Sequence, residues 1–277
     1  MSKLQFPYQK NFALFLKTQS LSPTTIASYE STITAFYTFL LANRPQSLAD
    51  GIRSVNETDV RSFFDYLQQS RQITLGSYNK TLTQLNRYFT YLFSHHLSDQ
   101  LPTLPLHGKQ VSEKTDINFV WLKKMDAVLA DSHLHFYTRM TLLLLAHGYT
   151  VNEFLQPGFY KVYQKMKSQN QEELNFRQSY QDFIRPIQEK QASSDIFLKK
   201  RLDLNHPQLT NPALHKYLKS DQEYIGFTIS PAKLHQAYVC YQLKRLEGKS
   251  DHEIEQVLNL DPQSLLYFKK LLIQNNL

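Results

Sequence analysis

The 277-residue chain has one cysteine, one tryptophan and only seven glycines, and each scarcity excludes something. A lone thiol, Cys240, cannot close an internal disulfide, and its place on an apolar helical face reads as a small core residue. So few glycines argue against a turn-rich sheet protein and for helices. The longest mostly apolar run, 140–146, falls far short of the ~20 residues that cross a bilayer, so no membrane partner is expected. The opening MSKLQFPYQKNF lacks the apolar stretch and small-residue cleavage site of a signal peptide, so a cytoplasmic location is expected. Glycine-rich phosphate loops, Gly-x-Ser-x-Gly and paired cysteines are missing, and the adjacent His95 and His96 splay apart on a helix. No metal and no cofactor are expected.

What the chain does have is aromatic bulk, with 17 Tyr and 18 Phe, and a net charge of +7. The length suffices for two modest domains, each with its own core. Both halves are mildly basic: through Lys109 there are 10 Lys and Arg against 6 Asp and Glu. That balance suits a polyanionic partner without marking either half as a charged tail.

Apolar periodicity resolves most of the chain into helices. Phe12, Phe15 and Leu16 form one stripe. Ser22 and Pro23 then open a second helix, as N-cap and first helical residue, that buries Ile26, Tyr29, Ile33, Phe36, Tyr37 and Leu40. Asn56 caps a third helix that buries Val60, Phe63, Phe64 and Leu67. A fourth, at about 75–96, buries Tyr78, Leu82, Leu85, Tyr88, Phe89 and Leu92. Residues 1–100 read as a four-helix bundle. Residues 101–114, LPTLPLHGKQVSEK, have two prolines, a glycine and little periodicity, and read as a linker. A second domain, 115–277, opens with helices at about 119–129 and 135–147. Phe176, Tyr180, Phe183, Ile184 and Ile187 keep a helical period near Pro186, and Thr210-Asn211-Pro212 starts another helix. Ser230-Pro231 is a strong start for a helix whose inner face carries Leu234, Tyr238 and Tyr241. Its Ser230 hydroxyl is expected to act as a cap.

This last stretch, Ser230-Pro231-Ala232-Lys233-Leu234-His235-Gln236, resembles the helix of tyrosine recombinases that begins Ser/Thr-Pro-His-x-Leu-Arg-His. The frame matches at Ser230, Pro231 and Leu234, while Ala232, His235 and Gln236 replace the two histidines and the arginine. Gly148-Tyr149-Thr150-Val151-Asn152-Glu153 is similar to the family's Gly-Leu-Arg-x-Ser-Glu, with Thr150 at the arginine. Further matches cover the first ninety residues: Leu21-Ser22-Pro23-Thr24-Thr25-Ile26 with Tyr29, Thr58-Asp59-Val60, and Leu85 to Leu92 against Leu-x-x-Phe-Phe-x-Tyr-Leu. Near the end, Gly248 to Ile254 and Leu258-Asn259-Leu260 stand against Gly-x-Asp/Ser-x-x-x-Ile and Leu-Gly-His.

The resemblance implies a mainly α chain: an N-terminal SAM-like four-helix core-binding domain and a mostly helical recombinase-like domain with at most a small sheet. In the family that sheet, within 157–194, carries a catalytic lysine; it is not evident here, and Lys161, Lys165 and Lys167 are the stand-ins. Counting from Leu260 puts Lys269 at the family's nucleophilic tyrosine, whereas counting from His235 lands on Tyr267, so Tyr267 is a candidate nucleophile. The implied partner is double-stranded DNA. By carry-over it is faced by Thr24, Thr25 and Ser28, by Ser77, Asn79, Lys80, Thr83 and Arg87, and by Lys199, Lys200, Arg201, Asn211, His215 and Lys216. Lys109 and Lys114 are linker contacts of the same kind. The apolar tail Leu271-Leu272-Ile273-Gln274 suits docking in cis, or in trans within a homo-oligomer on DNA.

With both arginines and both motif histidines replaced, at Thr150, Ala232, His235 and Gln236, and with Leu260 at a further motif histidine, the expected function is duplex binding without strand cleavage, as a regulator or accessory factor. An active, divergent recombinase using Tyr267 is the alternative. A protein-binding helical scaffold is the third reading.

Overall fold

The computed structural model describes residues 5–48, 51–110 and 117–275. The chain divides into two compact units, Met1–Glu113 and Lys114–Leu277. Among the described residues every extended element is helical, and the only β pairing is an isolated antiparallel bridge between Leu198 and Gln208.

The first unit is built from α1 (Gln9–Thr18), α2 (Pro23–Asn43), α3 (Glu57–Arg71) and α4 (Leu75–Ser94), with short 3-10 turns at Pro45–Leu48 and Gly51–Ser54. Side-chain caps set three of the helix starts. The Ser22 hydroxyl accepts from the Thr25 N–H, Asn56 from Thr58 and Asp59, and Thr74 from Ser77, satisfying donors the helices leave open. Aromatic rings fill the core. Phe36 meets Phe63 and Phe89 edge-on, at 5.4 and 5.9 Å between centroids, a geometry that sets positive ring edges against negative faces.

Three of the polar groups buried in this unit tie its segments together. Gln84 on α4 donates to Ser28 Oγ at 3.0 Å and accepts from Thr32 Oγ1 at 2.6 Å, pinning α4 to α2. The Tyr88 hydroxyl donates to the Pro7 carbonyl at 2.9 Å. Asp59, fully buried, accepts from the Asn56 N–H at 2.9 Å and lies 3.0 Å from Arg44 Nε, so it ties the end of α2 to the start of α3.

The described part of the proline-containing stretch after α4 packs against that helix. Thr103 donates to Asn86 at 2.8 Å, and Leu106 joins the first core. Asn79 donates to the Lys109 carbonyl and accepts from the Lys109 N–H, at 2.8 and 2.7 Å. Lys114 lies outside the described residues.

The second unit comprises α5 (Val120–Lys123), α6 (Met125–Ala130), α7 (Phe136–Ala146), α8 (Val151–Phe154), α9 (Tyr160–Lys165), α10 (Gln171–Gln191), α11 (Asn211–Ile225), α12 (Pro231–Arg245), α13 (Asp251–Leu258) and α14 (Pro262–Gln274). At its centre is α7, whose residues 137–145 are all buried because α6, α10, α11 and α12 surround it. Tyr137 reaches out of this helix to donate to the Leu198 carbonyl at 2.6 Å. A smaller core, with Cys240, Leu243, Ile254, Leu265, Phe268 and Leu271, joins α12, α13 and α14. The tail enters it through Leu271 and half-buried Leu272, while Ile273 is exposed.

Two expectations, the unbroken helix over 119–129 and the Ser230 cap, need correction, whereas the helical period read at Phe176, Tyr180 and Ile184 is met. The helix expected over 119–129 is broken at Lys124 into α5 and α6. Within 157–194 the family's sheet is replaced, among the described residues, by α9 and α10. Asn170 caps α10, and Phe176, Tyr180 and Ile184 supply one buried helical face, so the 3.6-residue period prevails. Ser230 precedes α12 as expected, yet its hydroxyl makes no cap bond.

Removing the Asp59 carboxylate takes from Arg44 its ion-pair partner, leaving it the Ser62 hydroxyl, and from the Asn56 N–H its acceptor. Asp59→Ala is expected to cost about 3 kcal/mol, read from the urea midpoint of the first helical-signal transition. A loss under about 1 kcal/mol contradicts this account of the α2–α3 tie.

Candidate functional site

In the second unit the turn between α7 and α8, the early turns of α12, and α14 meet at the positions singled out by the recombinase resemblance. The turn begins at Gly148, with φ +86°. A Cβ there would lie 2.9 Å from Tyr238 Cε1 of α12, so a side chain is excluded by both the left-handed backbone and the ring. The bare approach lets His235 Nε2 reach the Gly148 carbonyl at 3.0 Å. A carbonyl only accepts, so Nε2 carries the proton and donates.

His235 is therefore a donor already engaged. Burial holds its pKa below the ordinary 6.5, against weaker opposing effects from the Gly148 bond and Glu153. Thr150 is also internally held, with its N–H and Oγ1 both donating to Glu153 Oε2 at 2.6 and 2.7 Å. Next to His235 on α12, Gln236 Nε2 donates to the Tyr267 hydroxyl at 2.9 Å. Tyr267 is 48% exposed.

Lys269, the other candidate at that count, turns instead to Asp251 in an ion pair. Leu260 packs, half-buried, on the smaller core, and Asn259 before it has φ +51°, the left-handed conformation glycine ordinarily supplies at a helix end. Ala232 is exposed on the first turn of α12. The structure thus gathers His235, Gln236 and Tyr267 and leaves Lys269 and Leu260 out of the group. Lys161, Lys165 and Lys167 are exposed on or just after α9.

The carried-over contact residues divide into those held by the protein and those left at the surface. In the first unit Ser28 holds Gln84, Ser77 caps α4 with Thr74, Asn79 holds Lys109, and Thr83 donates to the Asn79 carbonyl. Thr24 and Thr25 share the Ser22 hydroxyl. Lys80 is exposed and Arg87 half-buried. In the second unit Lys199 is bound by Asp203 and the His206 carbonyl, each at 2.6 Å. Lys200 stands 5.5 Å from the Tyr217 ring centroid and 3.3 Å from His135 Nε2. Arg201, Asn211, His215 and Lys216 are exposed.

Two features of this region escaped the sequence reading. The Gly148–His235 bond joins residues 87 apart, and no local pattern marks it. His135 caps α7 through Nδ1, which accepts from the Tyr137 N–H at 3.0 Å. Its pKa falls to about 4, chiefly by burial and then by Lys200 and Arg139, with Asp221 opposing. Protonation would break the cap and set a cation beside Lys200.

Residues 9–103 match the phage integrase N-terminal SAM-like domain family. Among solved structures, the chain is similar to lambda integrase(75-356), crystallised as a dimer bound to a COC' core site. The identity is 10%, the match covers 95% of this chain and 94% of that one, and the TM-score is 0.59. XerA recombinase is 12% identical, with 98% of this chain and 93% of that one covered and a TM-score of 0.42. A comparison with curated protein sequences yields no match. A SAM-like helical domain followed by this helical unit defines a class of architecture, and the chain has the tyrosine-recombinase-family fold. No described helix is long and apolar enough to cross a membrane.

Two expected outcomes follow from the geometry. Gly148→Ala sets a Cβ against Tyr238 in left-handed backbone and should destabilise the second unit by about 2 kcal/mol or more. Chemical denaturation measures this, and a variant as stable as the parent contradicts the close approach. For His135 the folded pKa lies below the unfolded one, so the unfolded chain binds the proton first. The related stability is complete above about pH 6.5 and declines as pH falls towards 4. The loss at pH 5 is on the order of 1–2 kcal/mol. His135→Asn keeps a cap acceptor without that titration, so its Tm should fall less than the parent's between pH 7 and 5. An equal fall removes His135 from the account.

Proposed function

We propose that this chain binds duplex DNA and does not cleave it, serving as a regulator or accessory factor. The observation that carries the reading is the state of the two positions matched to the recombinase arginines. Thr150 is closed on Glu153, and His235 is a half-buried imidazole that donates to Gly148 and whose pKa burial lowers. Cleavage at a phosphodiester builds negative charge that needs fixed, charged donors, and an arginine fork supplies two. Loss of one such donor costs on the order of a hundred- to a thousand-fold in rate. Duplex binding has no comparable requirement, because its phosphate contacts are dispersed over many residues. The lambda integrase structure that shares the fold is bound to a DNA core site, which supports a DNA partner for this chain. Lys80, Arg87, His215 and Lys216 are the surface contacts this reading uses.

One observation favours the alternative of a divergent active enzyme. Tyr267 is exposed and its hydroxyl is oriented by Gln236, as a nucleophile would need to be.

A nicked duplex that traps covalent protein–DNA adducts separates the readings. The expected result is reversible binding that weakens steeply with salt and leaves no adduct. Lys80→Ala with Arg87→Ala should lower the salt slope by roughly two. An adduct abolished by Tyr267→Phe establishes the enzyme instead. Absence of duplex retention even at low salt leaves the protein-binding scaffold.

A further inference from the structure

The one tryptophan of the chain is in an unusual position. Trp121, on α5, is 2% exposed, and its indole N–H has no acceptor. A buried donor without a partner costs about 1–3 kcal/mol, and such groups call for an explanation. Trp121 forms part of the wall of a cavity of about 340 Å³ within the second unit. The polar side chains of that wall are Asn118, Trp121, Thr228 and Lys233, and no carboxylate lines it.

The chemistry of these groups points one way. Asn118 Oδ1 already accepts from the Val120 N–H at 2.8 Å, which leaves its amide N–H₂ to donate. Lys233, exposed on the first turn of α12, brings a positive charge, and among the described residues no carboxylate is paired to it. Thr228 adds a hydroxyl. The Ser230 hydroxyl does not cap this turn, so the positive end of α12 is not quenched by its own side chain. The cavity therefore offers donors and a cation, with Leu234 and Ala237 as the apolar wall beneath them.

We infer that the cavity bounded by Trp121, Asn118, Thr228 and Lys233 is an oxyanion site that takes a phosphate group. The phosphate comes from one of two sources, a DNA backbone or free inorganic phosphate. The first source rests on the duplex-binding reading and the second does not. A tetrahedral anion accepts from Lys233, Asn118 and Thr228, which are exposed at the cavity, while Trp121 is buried in its wall. None of its donors is a recombinase motif position, although Leu234 of its apolar wall is one.

Because Trp121 is the only tryptophan, its emission reports on this site alone. The full-length chain is titrated with inorganic phosphate, and separately with a short duplex, against chloride at matched ionic strength. Duplex binding is followed in parallel by anisotropy of a labelled strand. A saturable emission change with phosphate, weakened about tenfold or more by Lys233→Met, is the expected result. Thr228→Val should weaken it by a smaller factor. If the duplex produces the same change, and phosphate competes with it, the source is the backbone. If phosphate alone produces it, the site is one for the free anion and stands even when no duplex binds. An emission change that does not saturate, or that Lys233→Met leaves unaltered, overturns the site. So does full duplex binding together with no emission response to either ligand, and in that case the duplex-binding reading survives.

Discussion

α12 approaches the turn after α7 at a point where only glycine fits, and much of the second unit's arrangement depends on that contact. Gly148 has a left-handed backbone and no Cβ, so the Tyr238 ring can lie against it. The same approach puts the Gly148 carbonyl within reach of His235. Because a carbonyl accepts and cannot donate, the imidazole is fixed as the Nε2–H tautomer. Burial favours its neutral form. On its other side α12 is anchored to α14 by the smaller core through Cys240, Leu243, Leu265 and Phe268, and that anchoring brings Gln236 to the Tyr267 hydroxyl.

The chemical character of the group follows from this packing. Where the recombinase pattern has two permanent cations in planar forks, this fold presents a threonine closed on a carboxylate and a histidine ring closed on a carbonyl. Their hydrogen-bonding capacity is directed inwards, which stabilises the α7–α8 turn and leaves little to hold a developing negative charge. The basic side chains show a similar division. Lys199 is anchored by Asp203 and a carbonyl, whereas Lys80, His215 and Lys216 stand in solvent. Exposed lysines such as Lys80 and Lys216 serve reversible electrostatic binding, where charge matters more than atomic placement.

Buried polar groups take the place of a sheet in specifying both units. Gln84 bridges Ser28 and Thr32, and Asp59 joins Arg44 to the Asn56 cap. In the second unit Tyr137 donates to a carbonyl of the segment that follows α10. Apolar contact alone is non-directional, and these bonds select one arrangement of helices among the several that would bury similar area.

The helices were legible in the sequence because their causes are local. Ser22-Pro23, Asn56, Thr210 and Ser250 sit at helix starts, and the spacing of Ile26, Tyr29, Ile33 and Phe36, or of Phe176, Tyr180 and Ile184, states which face is buried. The same locality made the replacements at Thr150, His235 and Gln236 visible, since each falls within a short motif. Which of Tyr267 and Lys269 turns towards α12 was not legible, because the count depends on the turn before α13. That Asn79 holds Lys109, that Ser230 leaves α12 uncapped, and that Trp121 ends without an acceptor were likewise decided by packing. Sequence by itself determined the helical class, several helix starts and the residues that stand at the motif positions, all properties of neighbouring residues. Only the tertiary structure decided that His235 is bound to Gly148, 87 residues away, because tautomer, burial and partner are set by segments that no local pattern connects.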